Sequence, residues 1–262
     1  MYPKLLEACL LAAKLQLEFF QKNLKISTKS NPKDFVTEVD LESQKIIIKT
    51  LRNSTPDSGF IGEEEDNNIS TYAPNLFIID PLDSTSSYIE GLDSFCISIA
   101  YLHEGVLKEA VVYKPKTDEI FYAKKDEGAY KIINDKKVEL KINEAALKDV
   151  RIGYNSGYSE EARIKVSENL KILDPKIKSS EKSRSAVLTS IKVSEGEFDL
   201  AMFGRVFIWD IAAVKLITEE AGGVLTDWEG KEVELDLENL KKEYQILVSS
   251  DKLIEEVTQC LN

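Results

Sequence analysis

The run Phe77-Ile78-Ile79-Asp80-Pro81-Leu82-Asp83-Ser84-Thr85-Ser86-Ser87-Tyr88 decides how the rest of the chain is read. An apolar burst stops at an aspartate, and a proline, a second aspartate and a hydroxyl-rich segment follow. Phe77 to Ile79 has the character of a buried strand's end. Pro81 fixes φ and removes a backbone donor, which predicts that the chain leaves the sheet there. Two carboxylates flanking a rigid bend can converge, and converging carboxylates are costly unless a cation holds them together. The hydroxyls just beyond suit the start of a helix, and a helix N-terminus suits a phosphate. The same residues also fit a strand followed by a polar turn, with Asp80 and Asp83 as turn-formers. Taken alone, the stretch leaves both open.

Upstream, Gly59-Phe60-Ile61-Gly62 reads as a short strand running straight into Glu63-Glu64-Glu65-Asp66. A charge run is usually a solvated loop, but here it begins directly off a strand, as Asp80 does. Ahead of it, Asp34-Phe35-Val36-Thr37-Glu38-Val39-Asp40 leads into a helix with Ile46, Ile47, Ile48 and Leu51 on its buried side. Thr37 and Asp40 have the spacing of a capping box, a role that does not exclude a functional one. A first helix is predicted over residues 4–22, with Leu5, Leu6, Cys9, Leu10, Ala13, Leu17 and Phe20 at helical spacing, and a polar loop over 25–33.

Downstream, residues 95–103, 106–113, 119–124 and 129–133 read as an antiparallel meander, with Val138, Leu140 and Ile142 alternating after it. From Asp149 onward strands (150–154, 176–179, 198–203, 245–249) alternate with helices (159–172, 185–195, 209–221, 251–261), which predicts a layered α/β half. Asp210 falls in a first helical turn, where an acid is favoured with or without a metal. His103, the only histidine, sits at a strand end with no cysteine or histidine near it and reads as structural.

The 262 residues are 43% hydrophobic and 31% charged, as in an ordinary globular protein, with a formal net charge of -12. That balance argues against nucleic-acid and anionic-membrane partners. Cys9, Cys96 and Cys260 are odd in number, far apart and in apolar contexts, which fits free thiols in a reducing compartment and no zinc site. No signal-peptide cleavage pattern and no apolar run of membrane-spanning length is seen, so a cytoplasmic location is expected.

Five pieces now stand in order: Asp34-Phe35-Val36-Thr37 with Asp40, Gly62-Glu63-Glu64, Asp80-Pro81-Leu82-Asp83-Ser84-Thr85, Trp209-Asp210-Ile211-Ala212-Ala213 and Glu220-Ala221-Gly222-Gly223. Together they resemble the inositol monophosphatase family, within the lithium-sensitive, magnesium-dependent phosphatases, over almost the whole chain. The resemblance implies an α/β fold, a layered α-β-α-β-α sandwich, commonly dimeric, here with an N-terminal α+β half (1–148) and a C-terminal α/β half (149–262). It implies two to three Mg²⁺ ions. Glu63, Asp80 and the Leu82 carbonyl would hold the first; Asp80, Asp83 and Asp210 the second; Glu64 would support a third through water. Thr85 paired with Asp40 would orient the attacking water, and the N–H groups of Ser84 and Thr85 would cradle the phosphate. Ala186 matches a substrate-pocket position, and Lys29 and Asp34 match positions in a mobile loop over the site.

The chain departs from the family pattern in two places. The common motif has glycine at Ser84, and usually Thr-Asn-Phe at Ser86-Ser87-Tyr88, where Ser and Tyr resemble the inositol polyphosphate 1-phosphatase branch. If position 84 needs a positive φ, serine costs about 1 kcal/mol there. The family's inositol-contacting acid falls on Phe203, while Lys182, Arg184 and Arg205 lie near the expected pocket edge. They are either surface charges or contacts for a second anionic group, with Arg205 foremost. The function implied is hydrolysis of a small phosphorylated metabolite, an inositol monophosphate or a related polyol or sugar phosphate. A 3′(2′),5′-bisphosphate nucleotidase, a fructose-1,6-bisphosphatase and a histidinol-phosphatase are alternatives, as is a non-catalytic binding protein retaining the fold. An aspartyl-nucleophile phosphatase is disfavoured, because Asp80-x-x-Asp83-x-Thr85 is one residue longer than its Asp-x-Asp-x-Thr signature.

Overall fold

The computed structural model describes residues 1–29, 35–64 and 70–261. Among them, two sheets and three helical layers alternate. The larger sheet has seven strands in sequential order: β3 (Gly59–Gly62), β4 (Asn75–Asp83), β5 (Cys96–His103), β6 (Val106–Lys114), β7 (Glu119–Lys124), β8 (Ala129–Ile133) and β9 (Lys136–Glu139). β3 and β4 are parallel and the rest is an antiparallel meander. Its turns follow local chemistry: Glu104-Gly105 and Asn134-Asp135 all take positive φ, as two-residue hairpins require. The smaller sheet runs β11 (Ser179–Lys182), β10 (Arg151–Asn155), β12 (Leu200–Val206), β14 (Tyr244–Ser249) and β13 (Val224–Thr226). A small ribbon pairs β1 (Ile26–Thr28) with β2 (Phe35–Thr37), so the predicted loop at 25–33 contains a strand.

Helices α1 (Tyr2–Phe19) and α2 (Glu38–Ser54) cover the outer face of the large sheet through Leu5, Ala8, Cys9, Ala12, Ile47 and Leu51. Between the sheets lie α5 (Ala186–Ser194) and α6 (Ile208–Glu220). α6 buries nearly every residue from Ile208 to Thr218, as suits a helix covered on both sides. Helices α4 (Glu160–Leu173) and α7 (Asp251–Leu261) close the far face of the small sheet. The result is the α-β-α-β-α sandwich, and the central core draws on both sheets, from Ile61 and Val112 to Phe203 and Val248.

Two elements move from their sequence-predicted places. Residues 174–176 form a 3-10 turn at Pro175, and the strand expected at 176–179 begins at Ser179. On α1 the buried stripe is Leu5, Ala8, Cys9, Ala12, Ala13 and Gln16, whereas Leu10 and Leu17 are exposed. Cys9 and Cys96 are buried free thiols and Cys260 is half-buried. His103 is exposed and meets Asn75 Oδ1 at 3.1 Å. No helix among the described residues is long and apolar enough to cross a membrane.

Candidate active site

The strand carrying Asp80 does not end at Ile79 and leave the sheet at Pro81. It continues to Asp83 through a bulge. Asp80 pairs with Ser98 and Asp83 with Cys96, so three steps on β4 face two on β5. In a regular strand, residues three apart point to opposite faces. The extra residue re-aims one of them, and both carboxylates reach the same side. Pro81 is tolerated in an interior strand because a bulge needs no ladder donor there.

Asp80, Asp83 and Asp210 each offer an oxygen, and these atoms all lie within 4.8 Å of one another. Asp210 arrives from the first turn of α6, where its carboxylate accepts from Phe207 N–H at 2.6 Å. Glu63, just beyond β3, stands beside Asp80. Burial pushes Asp80 and Asp210 well above the usual carboxylate range, and the charges of Glu63, Asp83 and Asp210 add to the effect on Asp80. Burial raises Asp83 to about 7, although Ser185 and Cys96 hydrogen-bond to its carboxylate. Glu64, also buried, is raised to about 7 by burial and by Glu63. Lys29 Nζ donates to Glu63 at 2.6 Å and to Glu64 at 2.8 Å. Burial pulls its pKa down, but the two carboxylates outweigh this and hold it above the ordinary lysine value. Asp34 lies outside the described residues.

These donors fit a hard divalent cation. They are convergent carboxylates, Asp80 and Asp83 buried and Asp210 half-buried, with no histidine or thiolate in the group of three. Oxygen donors of this kind suit Mg²⁺ rather than zinc.

Beside them, Thr85 Oγ1 donates to Asp40 Oδ1 at 2.7 Å. The other oxygen of Asp40 accepts from Thr37 N–H at 2.9 Å and from the Thr37 hydroxyl, completing the capping box of α2. One carboxylate therefore ends a helix and receives the Thr85 hydroxyl. Burial raises Asp40 to about 6, against the lowering effect of its hydrogen bonds to Thr37 and Thr85.

Ser84 has φ 69° and ψ 53°, in the left-handed region, just before the short helix α3 (Thr85–Ile89). A Cβ is unfavourable there, and the Ser84 Oγ···Ser87 Oγ bond at 2.7 Å is a partial offset. Ser84→Gly removes the clash but frees the unfolded chain, so thermal denaturation is expected to place it within about 1 kcal/mol of wild type. Ser84→Val, β-branched in the same conformation, is expected to lose about 1–2 kcal/mol. Equal midpoints for the two variants would show that the positive φ carries no strain.

Two buried glutamines, which the sequence reading passed over, pin the carboxylate-bearing strand ends. Gln16 of α1 donates to Pro81 O at 2.7 Å. Gln44 of α2 donates to Glu64 O at 2.6 Å and accepts from Glu64 N–H at 3.1 Å. A Cβ on Gly62 would lie 2.1 Å from Gln44 Oε1, which explains the glycine there. Gln44→Ala strands both backbone groups of Glu64 in a buried place. It is expected to cost about 1–3 kcal/mol in denaturant titration. An unchanged midpoint would mean that water replaces the amide.

The pocket above this group has a volume of about 120 Å³ and is lined by Glu63, Asp80, Leu82, Asp83, Thr85 and Asp210 on its floor. Ala186, Phe35, Tyr158 and Arg205 stand among its walls. Arg205 bonds Glu243 at 2.7 Å, lies 5.0 Å from the Phe207 ring and leaves its Nε buried without a partner.

The sequence pattern described as the inositol monophosphatase family matches residues 4–261. A fructose-1,6-bisphosphatase/inositol-1-monophosphatase of Thermotoga maritima is 33% identical over 213 residues, 79% of this chain and 77% of that protein. The Nus factor SuhB of Xylella fastidiosa is 32% identical over 200 residues, 75% and 70% of the two chains. The crystal structure of extragenic suppressor protein suhB from Bartonella henselae superposes with a TM-score of 0.88 at 26% identity, covering 100% of this chain and 98% of that one.

Proposed function

The chain belongs to the inositol monophosphatase family, a family of phosphatases, and from that premise we propose that it is a Mg²⁺-dependent phosphomonoesterase acting on a small phosphorylated polyol or sugar. The observation that carries the proposal is the convergence of Asp80, Asp83 and Asp210 beside the Thr85–Asp40 hydrogen bond. Glu63, Asp80, the Leu82 carbonyl, Asp83 and Asp210 would hold two ions, with Glu64 supporting a third. Bound there, Mg²⁺ supplies a Lewis acid that polarises the phosphoryl group and acidifies water.

The remaining roles fall to the chain's own groups. The Thr85 hydroxyl, pointing its proton at Asp40, keeps a lone pair free to take a proton from the attacking water. Asp40 accepts the proton that Thr85 passes on. The N–H groups of Ser84 and Thr85 face the phosphate, and Ala186 and Arg205 wall the substrate. Lys29 neutralises Glu63 and Glu64 until cations take that charge. The first half (1–148) brings the strand-end ligands and the second (149–262) brings Asp210 and the pocket walls. A cytoplasmic homodimer completes the proposal, on the family resemblance and the unpaired Cys9 and Cys96.

The test is free phosphate released from a panel of phosphomonoesters, with and without Mg²⁺ and Li⁺. Mg²⁺-dependent release that Li⁺ suppresses is expected. A phospho-aspartate trapped on Asp80, or no release from any ester, would overturn the mechanism.

A further inference from the structure

The metal pocket opens into a second cleft of about 500 Å³, and the two share Phe35, Ser86, Asn155, Gly157, Tyr158 and Arg184. The charged residues lining this cleft are Arg163, Lys182 and Arg184, and no carboxylate lines it among the described residues. In a chain of net charge -12, an all-cationic wall next to an acidic floor is a marked segregation. The three cations come from separate places: Arg163 from α4, Lys182 from the end of β11, Arg184 from the loop before α5.

The cleft is built rather than incidental. Asn155 Nδ2 donates to Ser183 O at 3.0 Å and to Arg184 O at 3.3 Å, while its Oδ1 accepts from Gly157 N–H at 2.8 Å. One side chain thus fixes both walls. Gly157 has φ +67°, and a Cβ there would meet Arg205 Cβ at 2.8 Å, so the turn is seated directly on Arg205. Arg205 itself is committed to Glu243 and Phe207. Arg163 and Lys182 have no ion-pair partner among the described residues, and Arg184 pairs with Glu90 at 2.6 Å in a half-exposed pair, which is a weak competitor. The emphasis that sequence reasoning placed on Arg205 therefore shifts to Arg163, Lys182 and Arg184.

We propose that this cleft binds a second phosphate group of the substrate, so that the preferred substrates are small bisphosphorylated metabolites hydrolysed at one phosphate and held by the other. The proposal rests on the phosphatase reading above. With one phosphoryl group over the Asp80–Asp83–Asp210 floor, the body of the substrate lies past Ser86 and Tyr158, and its second phosphate meets the three cations. Guanidinium and ammonium groups bind phosphate through charge-assisted hydrogen bonds. The nearby carboxylates do not repel it once divalent cations neutralise them.

The test compares matched pairs: fructose 1-phosphate with fructose 1,6-bisphosphate, and adenosine 2′-phosphate with adenosine 2′,5′-bisphosphate. In wild type, kcat/KM for the bisphosphate of at least one pair is expected to exceed that of its monophosphate by about tenfold or more, and the favoured pair tells a sugar from a nucleotide scaffold. Lys182→Ala/Arg184→Ala, and separately Arg163→Ala, are expected to reduce that ratio by about tenfold, with the loss steepest at low salt. A ratio near one in wild type, or one the variants leave unchanged, overturns the cleft proposal and leaves the phosphatase reading intact. Absence of phosphate release from all four compounds counts against the phosphatase reading instead. Calorimetric titration then decides the cleft: tighter binding of a bisphosphate that the variants lose supports it, and equal binding of both members of each pair overturns it.

Discussion

Asp80→Asn is expected to lower Mg²⁺-dependent phosphate release by about a thousandfold or more and, at the same time, to raise the thermal midpoint of the metal-free protein. Asp80 is 1% exposed and shares its surroundings with Glu63, Asp83 and Asp210. Without a cation these charges oppose one another in a buried place. Asparagine keeps the shape, and its carbonyl oxygen can still accept from Leu82 N–H, which Asp80 Oδ1 receives at 3.0 Å. What it removes is the repulsion, worth about 1–3 kcal/mol. The sign follows from the direction of the shifts. Asp83 is raised to about 7, and Asp80 and Asp210 well above their ordinary range. An acid whose folded-state pKa is raised contributes stability that is full below its unfolded pKa, near ~4, and is lost as pH rises through the folded value. The metal-free protein should therefore melt lower at about pH 8 than at about pH 5, and the difference should shrink in Asp80→Asn. Mg²⁺ should stabilise wild type and leave the variant nearly unmoved. Melting curves in EDTA and in Mg²⁺, read beside phosphate release, check both halves. A variant less stable than wild type in EDTA would show that Asp80 holds the fold by another route.

That test turns on a geometry the sequence only half disclosed. The apolar run before Asp80, the acids off β3 and the alternation after Asp149 are periodic signals, and sheets and layers follow from periodicity. The bulge is not periodic. Pro81 inside an apolar run is compatible with a strand that ends or with one that bulges, and the pairing of Asp83 with Cys96 decides between them. Position 84 was similar: the residue type marked a departure, but only the backbone supplies φ 69°. Gln16 and Gln44 were legible in principle. Each lies on the apolar stripe of its helix, Gln16 with Ala12 and Ala13, Gln44 with Ile47, Ile48 and Leu51. A polar residue on a buried stripe must find a partner, and here the partners are Pro81 and Glu64. The identity of those partners is a tertiary fact. The cationic cleft is likewise invisible along the chain, because Arg163 on α4, which packs against β12, and Arg184 in the loop after β11 are brought to one cleft by tertiary packing rather than by spacing.

Asp40 presents the opposite difficulty, since a local role explains it completely. Its capping of α2 would account for its presence without any chemistry. The two roles separate in Asp40→Asn. An asparagine oxygen still accepts from Thr37 N–H, so the helix start survives and the melting point is expected to shift by no more than about 1 kcal/mol. Its amide, however, cannot accept the Thr85 proton as Asp40 Oδ1 does at 2.7 Å. Phosphate release should fall by about a hundredfold to ten-thousandfold, the range of general acid–base assistance. Thr85→Val, close in shape and without a hydroxyl, should fall by a similar amount. The double variant should be scarcely slower than the slower single, because the two groups act on one proton. The pH profile gives a second reading. A base must be ionised to work, and burial raises Asp40 to about 6, so the wild-type rate should decline as pH drops below that value. Asp40→Asn should lose this component of the acid limb while retaining Mg²⁺-induced stabilisation. Multiplicative losses in the double variant, or an acid limb unaltered by Asp40→Asn, would leave Asp40 as a helix cap and assign the proton to another group.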